Sequence, residues 1–303
     1  MIFNLALNFL RTHYRNLKLR RKNKSLQNQL DTYIKNGRKP WSTGYGLFKE
    51  NLIKQSITSN SIVEKFSLST LLEKGYGEFI DERIVEYPWL ISRISRSTGK
   101  LLDAGSVLNF DYILSHDFLK NKDFTIATLE PENSCFWQRR ISYLFCDLRD
   151  LPFTNNLFDE VVSLSTIEHI GMNNSLYSPN PDFVENNKWD FLKAITEFKR
   201  VVKSGGKVYI SVPYGKYTDF GWYQQFNAEM IDALIATFSP SQVVETYFCY
   251  ENGGWNFSTK ENCANVEGFN IHDTKYFNPK STKDYDLDFA ACSRGIAALE
   301  LWK

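Results

Sequence analysis

Four stretches of this chain put ionisable or conformationally free residues at the ends of apolar runs, where βα units meet their ligands. Leu101-Leu102-Asp103-Ala104-Gly105-Ser106 ends such a run on a carboxylate and a glycine, so the chain can turn sharply there and a ligand can approach the backbone. Strand-to-helix turns also use Asp and Gly for conformational reasons alone. Phe124 to Leu129 ends on Glu130-Pro131; a carboxylate at that place can accept both hydroxyls of a ribose, or stand solvated in a loop. Ile141 to Phe145 leads into Cys146-Asp147-Leu148, and the run over 158–164 leads into Ser165-Thr166-Ile167-Glu168-His169-Ile170-Gly171. An imidazole titrates near neutrality, which suits His169 to take a proton from an acceptor, with Glu168 orienting the ring or touching the substrate. The competing reading is a histidine hydrogen-bonded within its own turn.

A further apolar run ends on Ser211-Val212-Pro213-Tyr214-Gly215-Lys216, followed by Gly221-Trp222-Tyr223-Gln224-Gln225-Phe226. Tyr214, Lys216, Trp222 and Gln225 are residue types that stack on and hydrogen-bond a sugar, and a packed lid would use the same types.

The elements that must carry these groups follow from the texture of the chain. From Lys100 onward, short apolar runs alternate with helical periodicity, the pattern of a parallel sheet covered on both faces. It predicts strands at 100–104, 124–129, 141–146, 158–164, 206–212, 243–250 and 289–302, and helices at 107–118, 188–203 and 226–238. Two Asn-rich stretches, 171–187 and 251–287, are long enough to be lids or substrate loops. Before the sheet, Asp81 to about Arg96 has helical spacing, with Pro88 expected to kink it. Residues 36–46 are punctuated by Gly and Pro and read as a hinge, and Ser42 can cap a helix running through Lys54. This divides the chain into an N-terminal helical appendage, 1–80, and a main α/β domain, 81–303.

The 303 residues carry a net charge of +1, too small for a general field toward nucleic acid, which is not expected as a partner. Five cysteines and four histidines are widely scattered without a C-x-x-C pair, so no metal is expected and the thiols read as reduced. Aromatic residues make up 15% of the chain, which serves core packing or a planar ligand equally. Ile2, Phe3, Ala6, Phe9, Leu10 and Leu17 fall on one helical face, and seven of residues 11–24 are Lys or Arg. That basic amphipathic helix fits either the inner face of a membrane or a packing partner. The apolar start is too short to span a bilayer and its basic residues follow it, so a cytoplasmic location is expected.

Asp147-Leu148-(x)2-Leu151-Pro152-Phe153-(x)4-Phe158-Asp159, followed by Phe198-Lys199-Arg200-Val201-Val202-Lys203-Ser204-Gly205-Gly206-Lys207, resembles class I S-adenosylmethionine-dependent methyltransferases. The likeness covers 100–213 in order and spacing and extends to the terminal strand, Ala290 to Trp302. It implies a Rossmann-like, seven-stranded, mostly parallel sheet with a reversed last strand, and S-adenosyl-L-methionine as cofactor. It places Asp103 and Gly105 at the methionine end, Glu130 on the ribose, Asp147 on the adenine amine, Leu148 beside the ring, and Ser106 and Ser165 in the same cofactor site. Arg83 would reach the cofactor carboxylate or form a surface ion pair. The family's G-x-G-x-G loop is altered, with Val107 and Asn109 at the second and third glycine positions. Trp41-(x)2-Gly44-Tyr45, Asp81 to Trp89, the Glu168-His169-Ile170-Gly171 turn and Val212 to Lys216 resemble, more narrowly, methyltransferases of bacterial surface-glycan assembly. The expected acceptor is thus a hydroxyl or amine, on a small molecule or a glycan sugar. The alternatives are a catalytically inactive binding or scaffold subunit, which the altered loop permits, and a nicotinamide-dependent oxidoreductase, whose G-x-G-x-x-G turn is missing.

Overall fold

A computed structural model describes residues 24–303; apart from Lys24, the basic segment 1–24 lies outside the described residues. In Leu101-Leu102, Val161-Val162 and Val208-Tyr209-Ile210, successive side chains point to opposite faces and all are buried, so these runs need cover on both sides, as parallel strands do. Strands β1 (Lys100–Ala104), β2 (Asp123–Thr128), β3 (Ile141–Phe145), β4 (Phe158–Leu164) and β5 (Val202–Pro213) pair in parallel in the order β3-β2-β1-β4-β5. After a small ribbon, β6 (Thr218–Asp219) with β7 (Gln224–Gln225), come β8 (Gln242–Glu251), β9 (Gly254–Ser258) and β10 (Gly295–Trp302). The reversed last strand, β10, lies between β5 and β8 and is antiparallel to both.

The architecture is the expected Rossmann-like α/β sheet, but with eight strands instead of seven. The extra strand, β9, falls inside a stretch expected to be loop. Its cause is the two-residue connection Asn252-Gly253, whose φ values of 52° and 78° are both left-handed, as a tight hairpin turn with the right twist requires. Other boundaries differ as well: β5 starts at Val202 instead of 206, and the helix expected to run through Lys54 ends at Thr58. The helix expected over 107–118 shrinks to α5 (Asp111–Leu114), because Val107 and Leu108 donate their N–H groups to the Asp103 carboxylate and wrap the chain around it first. The last strand begins at Gly295 instead of 289, since Arg294 holds the preceding chain in a loop through Asp286 and Asp288.

One face of the sheet is covered by α2 (Tyr45–Thr58), α3 (Asn60–Leu68) and α4 (Arg83–Arg93), where Ile53, Phe66 and Trp89 share a core with Leu101, Ile126, Tyr209 and Phe248. The other face is covered by α6 (Phe191–Val201) and α7 (Ala228–Phe238), with Phe198 and Leu234 against Val161, Val208 and Leu299. Helical residues 24–35 (α1) add Tyr33 to the first core. Within the region 36–46, Trp41 is pinned by its indole N–H to the Ala291 carbonyl at 2.7 Å. Residues 24–80 therefore share their core with the sheet. No described helix is long and apolar enough to cross a membrane.

Pro88 lies in the middle of α4, where a missing N–H leaves the carbonyl four residues earlier without its helical donor. That carbonyl belongs to Ile84, and the Tyr76 hydroxyl donates to it at 3.0 Å. Tyr76→Phe should therefore cost about 1–3 kcal/mol of unfolding free energy, the range for orphaning a buried acceptor, measured by urea denaturation; an unchanged midpoint would show that the carbonyl finds another donor.

Candidate functional site

The order β2-β1-β4 makes the edge between β1 and β4 the place where connections leave in opposite directions, and the crevice beyond those carboxyl ends is where open α/β sheets bind ligands. A cavity of about 680 Å³ lies there, lined by Gly105, Ser106 and Val107 after β1, Thr128 to Glu132 after β2, Cys146 to Arg149 after β3, and Ser165, Thr166 and His169 after β4. Helices α2 and α4 supply its far wall through Lys49, Glu50, Arg83 and Tyr87. A smaller chamber of about 210 Å³ adjoins it, bounded by Trp41, Asp81, Glu82, Glu168, Trp222, Tyr223, Phe277 and Cys292. Lys49, Arg83, Ser165, His169 and Tyr177 belong to the walls of both.

The loop after β1 is shaped by Asp103, which is fully buried and does not line either space. Its carboxyl accepts the N–H groups of Val107 and Leu108 at 3.1 and 2.8 Å, while burial pushes its titration up to about 7. Gly105 has φ 120°, and a Cβ there would stand 2.3 Å from the Thr166 hydroxyl; the loop can pass the β4 end only as glycine. Ser106 follows in a left-handed conformation on the cavity wall, and its buried Oγ has no hydrogen-bond partner among the described residues. Tyr87 clamps the loop from α4 by donating to the Val107 carbonyl at 2.6 Å. Asn109 is turned away, holding Glu132 and the Ser134 carbonyl.

Glu130, Asp147 and Leu148 line the large cavity. Glu130 accepts from Ser178 Oγ at 2.5 Å. Asp147 accepts from Arg149, whose guanidinium also reaches Glu185 and Asp190, each at 2.8 Å. Arg149 thereby straps the loop 171–187 over the cavity, bringing Asn174, Tyr177 and Phe183 into its wall. Sequence reasoning passed over Arg149, although a cation two residues after the expected adenine-contacting acid was the available signal.

The α4 wall rests on Glu86, which is fully buried and accepts from Ser165 Oγ and Ser211 Oγ, both at 2.6 Å, and from Arg83 at 2.7 Å. Arg83 also donates to the Leu164 carbonyl at 3.0 Å. It is thus held in an interior ion pair at the cavity wall, and the surface pair expected as one alternative is replaced by a buried one.

His169 donates from Nδ1 to the Trp222 carbonyl at 2.8 Å, since a carbonyl can only accept. This leaves Nε2 as the acceptor nitrogen of a neutral ring, 3.9 Å from Glu168 Oε1. Burial, assisted by the nearby Arg83 charge, pulls the His169 titration down to about 4, against the pull of the Trp222 carbonyl. Burial drives Glu168 the other way, well above the usual carboxylate range. The indole of Trp222 lies tilted at 5.2 Å from the imidazole, and Tyr177 meets it edge-on at the same distance.

Of the four residues expected to meet a substrate, Trp222 alone lines the described cavities. Tyr214 is buried and donates to the Lys260 carbonyl, Lys216 pairs with Glu267 at the surface, and Gln225 spends its amide on the Lys216 and Val266 carbonyls. The strand end was located correctly, but these side chains turn into packing.

Residues 115–210 match a family model described as a methyltransferase domain, a family that uses S-adenosylmethionine. No curated protein matches. Among solved structures, a Thermotoga maritima S-adenosylmethionine-dependent methyltransferase, possibly acting on histamine nitrogen by its description, is 12% identical with a TM-score of 0.42, covering 84% of this chain and 99% of its own. A Burkholderia thailandensis 1,6-didemethyltoxoflavin N1-methyltransferase with S-adenosylhomocysteine is 12% identical with a TM-score of 0.39, covering 68% and 71%. A Haemonchus contortus phosphoethanolamine N-methyltransferase is 16% identical with a TM-score of 0.41, covering 65% of this chain and 45% of its own, so the match spans less than half of that protein. Likenesses this distant fix neither a substrate nor a residue's role.

The depressed His169 titration has a sign that can be checked. Between about 4 and its ordinary 6.5, the unfolded chain binds a proton at this ring that the folded chain does not, so stability falls as pH drops through that window. His169→Gln should flatten this part of the stability-versus-pH curve relative to the parent, measured by urea denaturation at stepped pH. Parallel curves for the two proteins would show that the ring titrates normally.

Proposed function

We propose that this chain transfers a methyl group from S-adenosyl-L-methionine to a hydroxyl or amine of a small molecule or of a sugar in a surface glycan or its precursor. The observation that carries the reading is the pair of cavities at the carboxyl ends of β1 to β4, a large space and a small one that share Lys49, Arg83, Ser165, His169 and Tyr177 in their walls. The domain match over 115–210 supports it, since it contains the carboxyl ends of β2, β3 and β4.

The residues present suit the cofactor. Ser106 lines the cavity and carries a buried hydroxyl without a partner among the described residues, the kind of orphaned group a ligand satisfies. Gly105 and Ser106 would hold the methionine end, with Asp103 acting through the loop it shapes; Glu130 would hold the ribose, Asp147 and Leu148 the adenine, and Ser165 the mouth between the two spaces. When bound, S-adenosylmethionine supplies an electrophilic methyl, passed on as the acceptor atom bonds to carbon and the carbon–sulfur bond breaks with its electron pair going to sulfur. The chain's own contribution is position and protons. The small chamber keeps the acceptor beside the shared wall, which favours an in-line approach. His169, neutral with Nε2 as its acceptor nitrogen, takes the proton of a hydroxyl acceptor, and Glu168 lies beside it. Val107, at a family glycine position and on the cavity wall, is the feature that favours the binding-only alternative.

Calorimetric titration should show S-adenosylhomocysteine binding to one site and no binding of NADH. Gly105→Ala should weaken S-adenosylhomocysteine about tenfold or more, a loss of at least about 1.4 kcal/mol, because the added Cβ must displace Thr166. Absence of S-adenosylhomocysteine binding to the parent protein overturns the reading; binding without turnover on any hydroxyl or amine supports the scaffold alternative.

A further inference from the structure

The small chamber holds more carboxyl groups than cations. Asp81 is paired with Lys49 at 2.7 Å, and Glu86, just behind the wall, with Arg83 at 2.7 Å. Among the described residues, those pairs use both cations of the chamber wall. Glu82 and Glu168 also line the chamber. They are 8% and 2% exposed, and Oε2 of each is buried without a hydrogen-bond partner among the described residues. The other titratable groups facing them bring no positive charge: His169 is held neutral, and burial keeps Tyr177, Tyr223 and Cys292 protonated. Burial pushes Glu82 up to about 8 and Glu168 well above its ordinary range, as expected of carboxyls that lack a counter-charge.

Buried polar atoms without partners are rare because each costs free energy that a ligand can recover. The group that answers two such carboxyls is a cation rich in N–H donors. A neutral hydroxyl brings a donor but no charge. The remaining walls suit a cation too, with Trp41, Tyr177, Trp222 and Phe277 around the space, and ring faces attract ammonium groups. This wall already holds one: Lys49 Nζ stands 5.0 Å from the Trp41 ring centre.

We infer that the small chamber is an amine site, in which Glu82 and Glu168 receive the nitrogen of the acceptor between aromatic walls. That the amine is the methyl acceptor rests on the function proposed above; that the chamber prefers an amine does not. Bound as an ammonium beside the Glu168 carboxylate, or as a free amine beside the carboxylic acid, the pair carries the same protons. Moving one proton from nitrogen to the carboxylate exposes the lone pair that a methyl acceptor needs. For an amine, Glu168 is the better proton acceptor than His169, whose basicity burial has lowered. An aminodeoxy sugar meets this requirement as well as a simple amine does.

The test is a calorimetric comparison of benzylamine with benzyl alcohol, which share a carbon skeleton and differ in the group that matters. Benzylamine should bind the parent protein about tenfold or more tightly than the alcohol. A Glu82→Gln/Glu168→Gln double variant should lose that preference while binding the alcohol as before. Amine binding no stronger than that of the alcohol, including no detectable binding of either, overturns the inference even if the variant fails to fold, and so does a preference that survives in a folded double variant. S-adenosylhomocysteine binding is read separately: its absence with amine preference intact would remove the methyltransferase reading and keep the amine site, and the converse would do the reverse.

Discussion

A carboxylate buried without partners is among the most costly features a fold can carry, and one whose partners come from three elements ties those elements together. Glu86 is such a group, fully buried on α4 and bonded to Ser165 after β4, Ser211 on β5 and Arg83 on its own helix. The clamp fixes α4 against the carboxyl ends of the two central strands. From that placement Arg83 reaches the Leu164 carbonyl, Tyr87 reaches the loop after β1, and Asp81 and Glu82 face the small chamber. Arg83, at the start of this helix, lines both spaces, together with Lys49, Ser165, His169 and Tyr177.

Much of this was legible in the sequence, and the reason is periodicity. Strands buried on both faces read as short apolar runs, and the acids at their ends mark the ligand side without any structure. That pattern singles out Gly105, Glu130, Asp147 and His169, which line the cavity. What the pattern does not encode is where a side chain points once its strand has ended. Asp103 turns inward to organise the loop, and Gln225 folds its amide onto two carbonyls. Glu86 was missed although it stands alone as a charge among Ile84, Val85 and Tyr87; a lone acid in an apolar stretch of helix predicts a buried partner, but not which one.

The segments before and after the sheet show the same limit. Residues 24–80 read as an appendage because turn residues separate them from the strands; Tyr33, Ile53 and Phe66 lie in the core over one sheet face. The loop 171–187 had no pattern of its own, and Arg149, a residue of another loop, sets its position through Glu185. Long-range ion pairs of this kind leave no local trace in a sequence.

The central claim is that the paired spaces are one site, a cofactor cavity opening into an acceptor chamber across Arg83, Ser165, His169 and Tyr177. A crystal structure of the protein with S-adenosylhomocysteine tests it most directly. The account predicts density with the adenine between Asp147 and Leu148, the ribose at Glu130, and the sulfur at the shared wall, facing Glu168 and Trp222. Density for the ligand outside the large cavity, or with the sulfur turned away from the small chamber, would contradict it.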